Sequence, residues 1–263
     1  MSRAICIAAS LALLLGGEAG AFNLTWGDVE VKQLGAYGFT SGNPVLSFDS
    51  GNTNEMVEMF GYLGTASGVI QIDQSSFNVL SAPSAVDNVV TSQVRLNNSG
   101  ASSLGLNAND LTIEYTFTLV DDPTVWDSDQ FLWDVTINNL TGTDMNLVFY
   151  SYLNLQLDGD SADDLADASP LRILVSDPDS GKLFNWKASN AGADHFQVQA
   201  FSSVRDLLDT MTTAQDLPDA VAFSGDFAAA LQYDIVVPAN SSFTLFGMPL
   251  TIVPEPSVAL LTM

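Results

Sequence analysis

The run Leu111-Thr112-Ile113-Glu114-Tyr115-Thr116-Phe117-Thr118-Leu119 decides the fold class. Its odd-numbered positions are apolar or aromatic, and its even-numbered positions are threonine or glutamate. Successive side chains on a strand point to opposite faces, so this alternation marks an antiparallel strand with one buried and one solvated face. Phe131, Trp133, Val135 and Ile137 repeat the pattern. Turn-forming residues from Asn138 to Asp144 follow, and Met145, Leu147 and Phe149 resume the apolar face through Leu153, Leu155 and Leu157. Two such runs around a Gly/Asn-rich connection predict a hairpin.

Working outward, strands are predicted at Val29–Leu34, Glu55–Leu63, Gly68–Asp73, Asn88–Leu96, Leu171–Ser176, Lys182–Lys187 and Phe196–Phe201. Phe227, Ala229, Leu231, Tyr233, Ile235 and Val237 form one face of a long strand, and Ser242–Leu250 follows a Pro/Asn/Ser turn. Only Val204–Met211 has helical spacing, with Leu207, Leu208 and Met211 three and four residues apart. About a dozen strands separated by turn residues predict an all-β chain, a large antiparallel β-sandwich forming a single domain over residues 22–252. Its expected core includes Leu111, Ile113, Phe117, Phe131, Trp133, Phe149, Leu231 and Ile235.

Residues 1–21 read as a secretory signal peptide. Arg3 supplies the positive start and Ala4–Leu15 the apolar stretch, and Ala19-Gly20-Ala21 offers a cleavage site between Ala21 and Phe22. Cys6, the one cysteine, lies inside this segment, so the exported chain is expected to stand without disulfides on its apolar core alone. The charge balance is 7 Lys+Arg against 31 Asp+Glu, a formal net charge of -24. Such a surface repels nucleic acid, whose backbone is bound by clustered cations.

The chain closes on Val253-Pro254-Glu255-Pro256-Ser257-Val258-Ala259-Leu260-Leu261-Thr262-Met263. A Pro-Glu-Pro triplet leading into apolar residues resembles the PEP-CTERM sorting signal, with Pro254, Glu255 and Pro256 as its core and residues 253–263 as an incomplete version of it. The apolar stretch is shorter than the roughly 20 residues of a spanning helix and carries no basic cluster. Two body segments are also similar to PEP-CTERM proteins: Tyr150–Asp160, aromatic and then acidic, and Ser224–Tyr233. The resemblance implies an exosortase-type processing enzyme as partner and the membrane as a transient partner through signal and tail. It implies a secreted, cell-surface or extracellular-matrix location in a Gram-negative-type bacterium, with exopolysaccharide as a further partner.

The densest acidic stretch contains Asp158, Asp160, Asp163, Asp164 and Asp167. Carboxylates around a glycine suit Ca²⁺, a hard cation that takes six to eight oxygens, although the EF-hand spacing is absent; a solvated acidic loop is the competing reading. His195 is the one histidine, which excludes multi-histidine zinc sites, and its neighbours read as the start of a strand. Trp126, set among aspartates in a loop, is the best candidate for an aromatic that meets carbohydrate; Trp133 alternates with core residues. The expected function is an exported, non-enzymatic surface or matrix protein associated with exopolysaccharide and needing no certain cofactor. The alternative is a Ca²⁺-assisted carbohydrate-binding module, and a secreted polysaccharide-active enzyme stands third.

Overall fold

A computed structural model describes residues 22–39, 45–48, 56–121, 130–157 and 163–253. Antiparallel strands dominate, and they assemble into two large sheets and one small one. The nine-stranded sheet begins with β7 (Phe77–Val86), β8 (Val89–Leu96), β9 (Leu111–Val120) and β10 (Gln130–Asn139). It continues through β18 (Ser242–Val253), β14 (Leu183–Lys187), β13 (Arg172–Ser176), β12 (Leu165–Ser169) and β16 (Ala222–Ser224). The six-stranded sheet runs β15 (His195–Ala200), β17 (Phe227–Val237), β11 (Met145–Leu155), β5 (Met56–Thr65) and β3 (Gly38–Phe39), with β6 (Gly68–Gln71) also on β5. A small sheet of β1 (Phe22–Trp26), β2 (Val29–Leu34) and β4 (Val45–Ser47) adds Val29, Val31, Leu34 and Leu46 to the main core.

The alternating run from Leu111 to Leu119 lies in β9, and its five apolar residues are fully buried. It pairs in register with β10, Phe117 against Trp133 and Ile113 against Ile137. From the opposite sheet, Phe149 meets Trp133 edge-on at 6.2 Å between ring centroids and packs against Tyr233. The core therefore lies between the sheets, and every residue expected in it is buried. Gly61, on the neighbouring strand of the same sheet, leaves room for the Phe149 ring, because a Cβ there would lie 2.7 Å from it.

Several local readings differ from the structure. The expected hairpin of β10 and β11 does not form: β10 pairs with β9 and β18 in the nine-stranded sheet, whereas β11 pairs with β17 and β5 in the six-stranded one, so the chain crosses from sheet to sheet at this turn. The ten-residue strand β7 has no counterpart among the expected strands. Leu165–Ser169 is strand β12, so Asp167 stands on a sheet and not in an acidic loop. Its inward residues are Ala166 and Ala168, too small to give a strong hydrophobic alternation. β11 ends at Leu155 rather than Leu157, although Leu157 remains buried. A second helix, α1 (Asn98–Leu104), also forms: the Asn97 side chain accepts the Gly100 N–H at its start, and Gly105 in left-handed conformation ends it. Seven residues give too few turns for a periodic signal. The expected helix is α2 (Phe201–Thr210), with Val204 and Leu208 buried four residues apart.

Each large sheet also has an outer face. That of the six-stranded sheet is covered: Phe60, Tyr62, Tyr150, Tyr152, Ala228 and Ala230 form a second apolar cluster with Val204, Leu208, Met211 and Leu217. That of the nine-stranded sheet stays partly open to solvent over β8, β9 and β10.

Candidate functional site

The open face is the even-numbered half of the alternation. Thr91, Thr116 and Asp134 form one cross-strand row, Gln93, Glu114, Thr136 and Thr244 the next, and Val89, Thr118, Leu132 and Pro249 a third. Neighbouring strands lie about 4.8 Å apart, so these rows present hydroxyl, amide and carboxylate groups on a regular grid. Thr136 and Thr244 share a hydrogen bond of 2.9 Å between their hydroxyls.

The grid is interrupted at one place. Between Trp133 and Val135, β18 carries an extra residue against β10, so that Phe246 and Gly247 both face Asp134. Gly247 adopts φ +60°, and its N–H donates to Asp134 Oδ1 at 2.6 Å. A bulge of this kind re-aims a side chain. Leu245 and Met248 stay in the core while Phe246 turns out of it, 57% exposed. An aromatic ring beside a carboxylate and a set of threonine hydroxyls is chemistry that suits a sugar: the ring stacks on C–H groups and the polar groups take the hydroxyls. Sequence reasoning missed Phe246, although Gly247 inside an otherwise regular strand was the available signal for a bulge.

The covered face is built differently. His195, Gln232, Tyr150, Tyr62 and Gln71 share one cross-strand row. At one end, His195 Nδ1 lies 3.0 Å from Asp219 Oδ2 and Nε2 lies 3.6 Å from Asp216 Oδ1. Asp219 Oδ1 also accepts the Phe196 N–H. The hydrogen bond to Asp219 raises the His195 pKa above its ordinary value, against burial and with help from Asp216 and Asp234. Burial alone would raise Asp219, but the bonds from His195 and Phe196 outweigh it and hold its pKa below the usual range. A carboxylate at each ring nitrogen favours imidazolium, and a cation held this way is a poor general base. Gln232 completes the clamp by accepting the Leu217 N–H and donating to Asp216 and Asp234.

At the other end, Arg205 of α2 pairs with Glu58 at 2.7 Å and lies 5.6 Å from the Phe60 ring centre. Tyr62 donates to Asp209 at 2.6 Å, and Phe60 stacks on Tyr152 at 4.8 Å. Burial and the bond to Asp209 push the Tyr62 pKa well up, and burial with the Glu58 charge does the same for Tyr152. Burial raises Tyr150 to about 12, with Gln215 opposing it. All three phenols are neutral hydrogen-bonding groups at physiological pH.

Of the residues expected to bind a cation, Asp158 and Asp160 lie outside the described residues. Asp164 is buried and its carbonyl accepts the Gly225 N–H. Asp167 lies in β12 between Leu174 and Ala222, lining a depression of about 460 Å³ with Leu165 and Phe223. Among the described residues, no three His, Cys, Asp or Glu side chains are grouped to hold a metal ion. Trp126, Ala21, Pro254, Glu255 and Pro256 also lie outside the described residues, while Phe22 opens β1.

No family model matches the sequence, and no curated protein matches it. Solved structures do superpose on this chain. A bacterial glucoamylase complexed with acarbose superposes with a TM-score of 0.55 at 9% identity, over 92% of this chain and 32% of that one. A protein assigned as an aldose 1-epimerase from Escherichia coli K12 gives 0.46 at 10% identity, over 89% of this chain and 98% of that one. A galactose mutarotase-like protein from Lactobacillus casei ATCC 334 gives 0.40 at 13% identity, over 89% of this chain and 99% of that one. The chain thus spans about a third of the glucoamylase's length. Topology, packing and the glucoamylase comparison agree on one class, an antiparallel β-sandwich.

Proposed function

We propose that this is an exported, non-enzymatic protein of the bacterial surface or extracellular matrix, and that it associates with exopolysaccharide through the open face of the nine-stranded sheet. The observation that carries the reading is Phe246, turned outward by the Gly247 bulge beside Asp134 and the threonine rows. The N-terminal export signal and the PEP-CTERM-like triplet supply the address. The glucoamylase, solved with acarbose, supports the sandwich but lends no residue. His195 is clamped between carboxylates, which suits fastening a segment to the sheet better than moving protons.

Co-sedimentation of the purified protein with exopolysaccharide from the producing bacterium tests this. Phe246→Ala together with Asp134→Asn should weaken binding at least tenfold. Asparagine retains the oxygen that caps the Gly247 N–H, so the bulge is preserved while the charge is removed. Undiminished binding by this double variant, or release of reducing sugar by the native protein, would overturn the reading.

A further inference from the structure

The covered face holds more polar groups than its own hydrogen bonds satisfy. Gln197 is fully buried, and neither its side-chain oxygen nor its nitrogen has a partner. The same is true of the Tyr152 hydroxyl, Asn154 Oδ1 and Glu58 Oε2. Other partnerless atoms, such as Tyr115 Oη and Trp133 Nε1, lie in the central core as the single polar tips of rings. Here the groups are neighbours: Gln197, Ala230, Tyr152 and Phe60 make one cross-strand row, and Asn154 faces Glu58 in the next. Ala230 lies between Gln197 and Tyr152 in that row, and its methyl group offers neither of them a polar partner. Leaving an amide, a phenol and a carboxylate oxygen unpaired in one dry place is costly, so such a cluster calls for an occupant that satisfies it.

The cover is weakly built. The N-cap of α2 is Ala200, which makes no side-chain capping bond, and its last turn holds Asp209 at the negative end of the helix dipole. Ten residues are too few for a helix to be stable alone, so α2 depends on its packing and on the Arg205–Glu58 and Tyr62–Asp209 bonds. A short outer helix anchored only in this way opens locally before the whole protein unfolds.

We propose that the face beneath α2 becomes a binding site for a single neutral glycosyl unit when α2 lifts. The unpartnered groups are mainly acceptors, at Gln197 Oε1, Asn154 Oδ1 and Glu58 Oε2, and sugar hydroxyls donate to such groups. The Gln197 amide and the Tyr152 hydroxyl return donors, and the stacked Phe60 and Tyr152 rings offer an apolar surface for a sugar's C–H face. This site is separate from the open face, so either can fail without the other.

The test is hydrogen exchange of residues 201–210, read with and without glucose, galactose, mannose and glycerol, alongside calorimetric titration of each. One of the hexoses should slow exchange in α2 at least fivefold and give a saturable heat, and glycerol should do neither. Tyr152→Phe, which keeps the ring, and Gln197→Leu should each weaken that binding at least tenfold while leaving exopolysaccharide co-sedimentation unchanged. Three results would overturn the proposal: no hexose alters α2 exchange, glycerol matches the hexoses, or Gln197→Leu raises the melting temperature with hexose binding unaltered. The last would show the seam to be a dry packing fault.

Discussion

The two outer faces of this sandwich come from the same alternating chemistry and end in opposite states. On β9 and β10 the outward residues include Thr112, Glu114, Thr116, Thr118, Leu132, Asp134 and Thr136, and most remain in contact with solvent. On β5 and β11 the outward residues are Phe60, Tyr62, Tyr150 and Tyr152, and the face is sealed by α2 and the segment that follows it. Threonine satisfies its hydroxyl in water and keeps a strand-forming β-branch, so a threonine face needs no cover. Four aromatic rings on one face bury too much apolar surface to be left in water, and they recruit a helix. The composition of the even-numbered positions thus decides which face can meet a polymer directly.

The largest effect that separates the faces should come from what lies between them. Trp133→Ala removes the contact on which both sheets pack and should cost about 3–5 kcal/mol, read as a lowered urea midpoint. Leu208→Ala, under α2 only, should cost about 2–3 kcal/mol. If the two losses were equal, the covered face would rank with the central core rather than as an addition to it. Arg205→Met removes a partly exposed ion pair, and solvent screening limits its cost to about 1 kcal/mol, with faster exchange in α2.

His195 gives the comparison a pH axis. Its folded-state pKa is raised, so its contribution to stability is fully present below about pH 6.5 and is lost as pH rises through the folded value. Asp219 is depressed, so its contribution is present above about pH 3.9 and is lost as pH falls through its folded value. Melting temperatures of the native protein should therefore fall on the alkaline side of the histidine titration, and His195→Gln should remove that fall. A persisting fall would assign the effect to other groups. The smallest effect belongs to the open face, where Thr116→Val and Phe246→Ala should each change stability by no more than about 0.5 kcal/mol. A larger loss would mean that this face is packed against something and is not free for a ligand.

Much of the fold was legible because period-two alternation is a local property. Val29–Leu34 was bounded to the residue, and most other strands to within a few. His195 was placed at the start of a strand, where it stands. The site was less legible. Phe246 is exposed only because β18 gains a residue opposite Asp134, and a bulge is a relation between two strands. The acidic stretch read as one loop because its carboxylates are adjacent in sequence, yet Asp167 is carried off by pairing with Leu174 and Ala222.

What the sequence determined by itself was whatever depends on neighbours along the chain: the all-β class, the inward faces, the position of α2 and the acidic balance of the surface. What only the tertiary structure decided was which outward face is covered, and which polar groups are left without partners beneath the cover. The reason is that hydrogen-bond satisfaction is a matter of distances across strands. Gln197, Tyr152 and Asn154 are separated by more than forty residues or lie on one strand, and only the pairing of β15, β17 and β11 makes them neighbours.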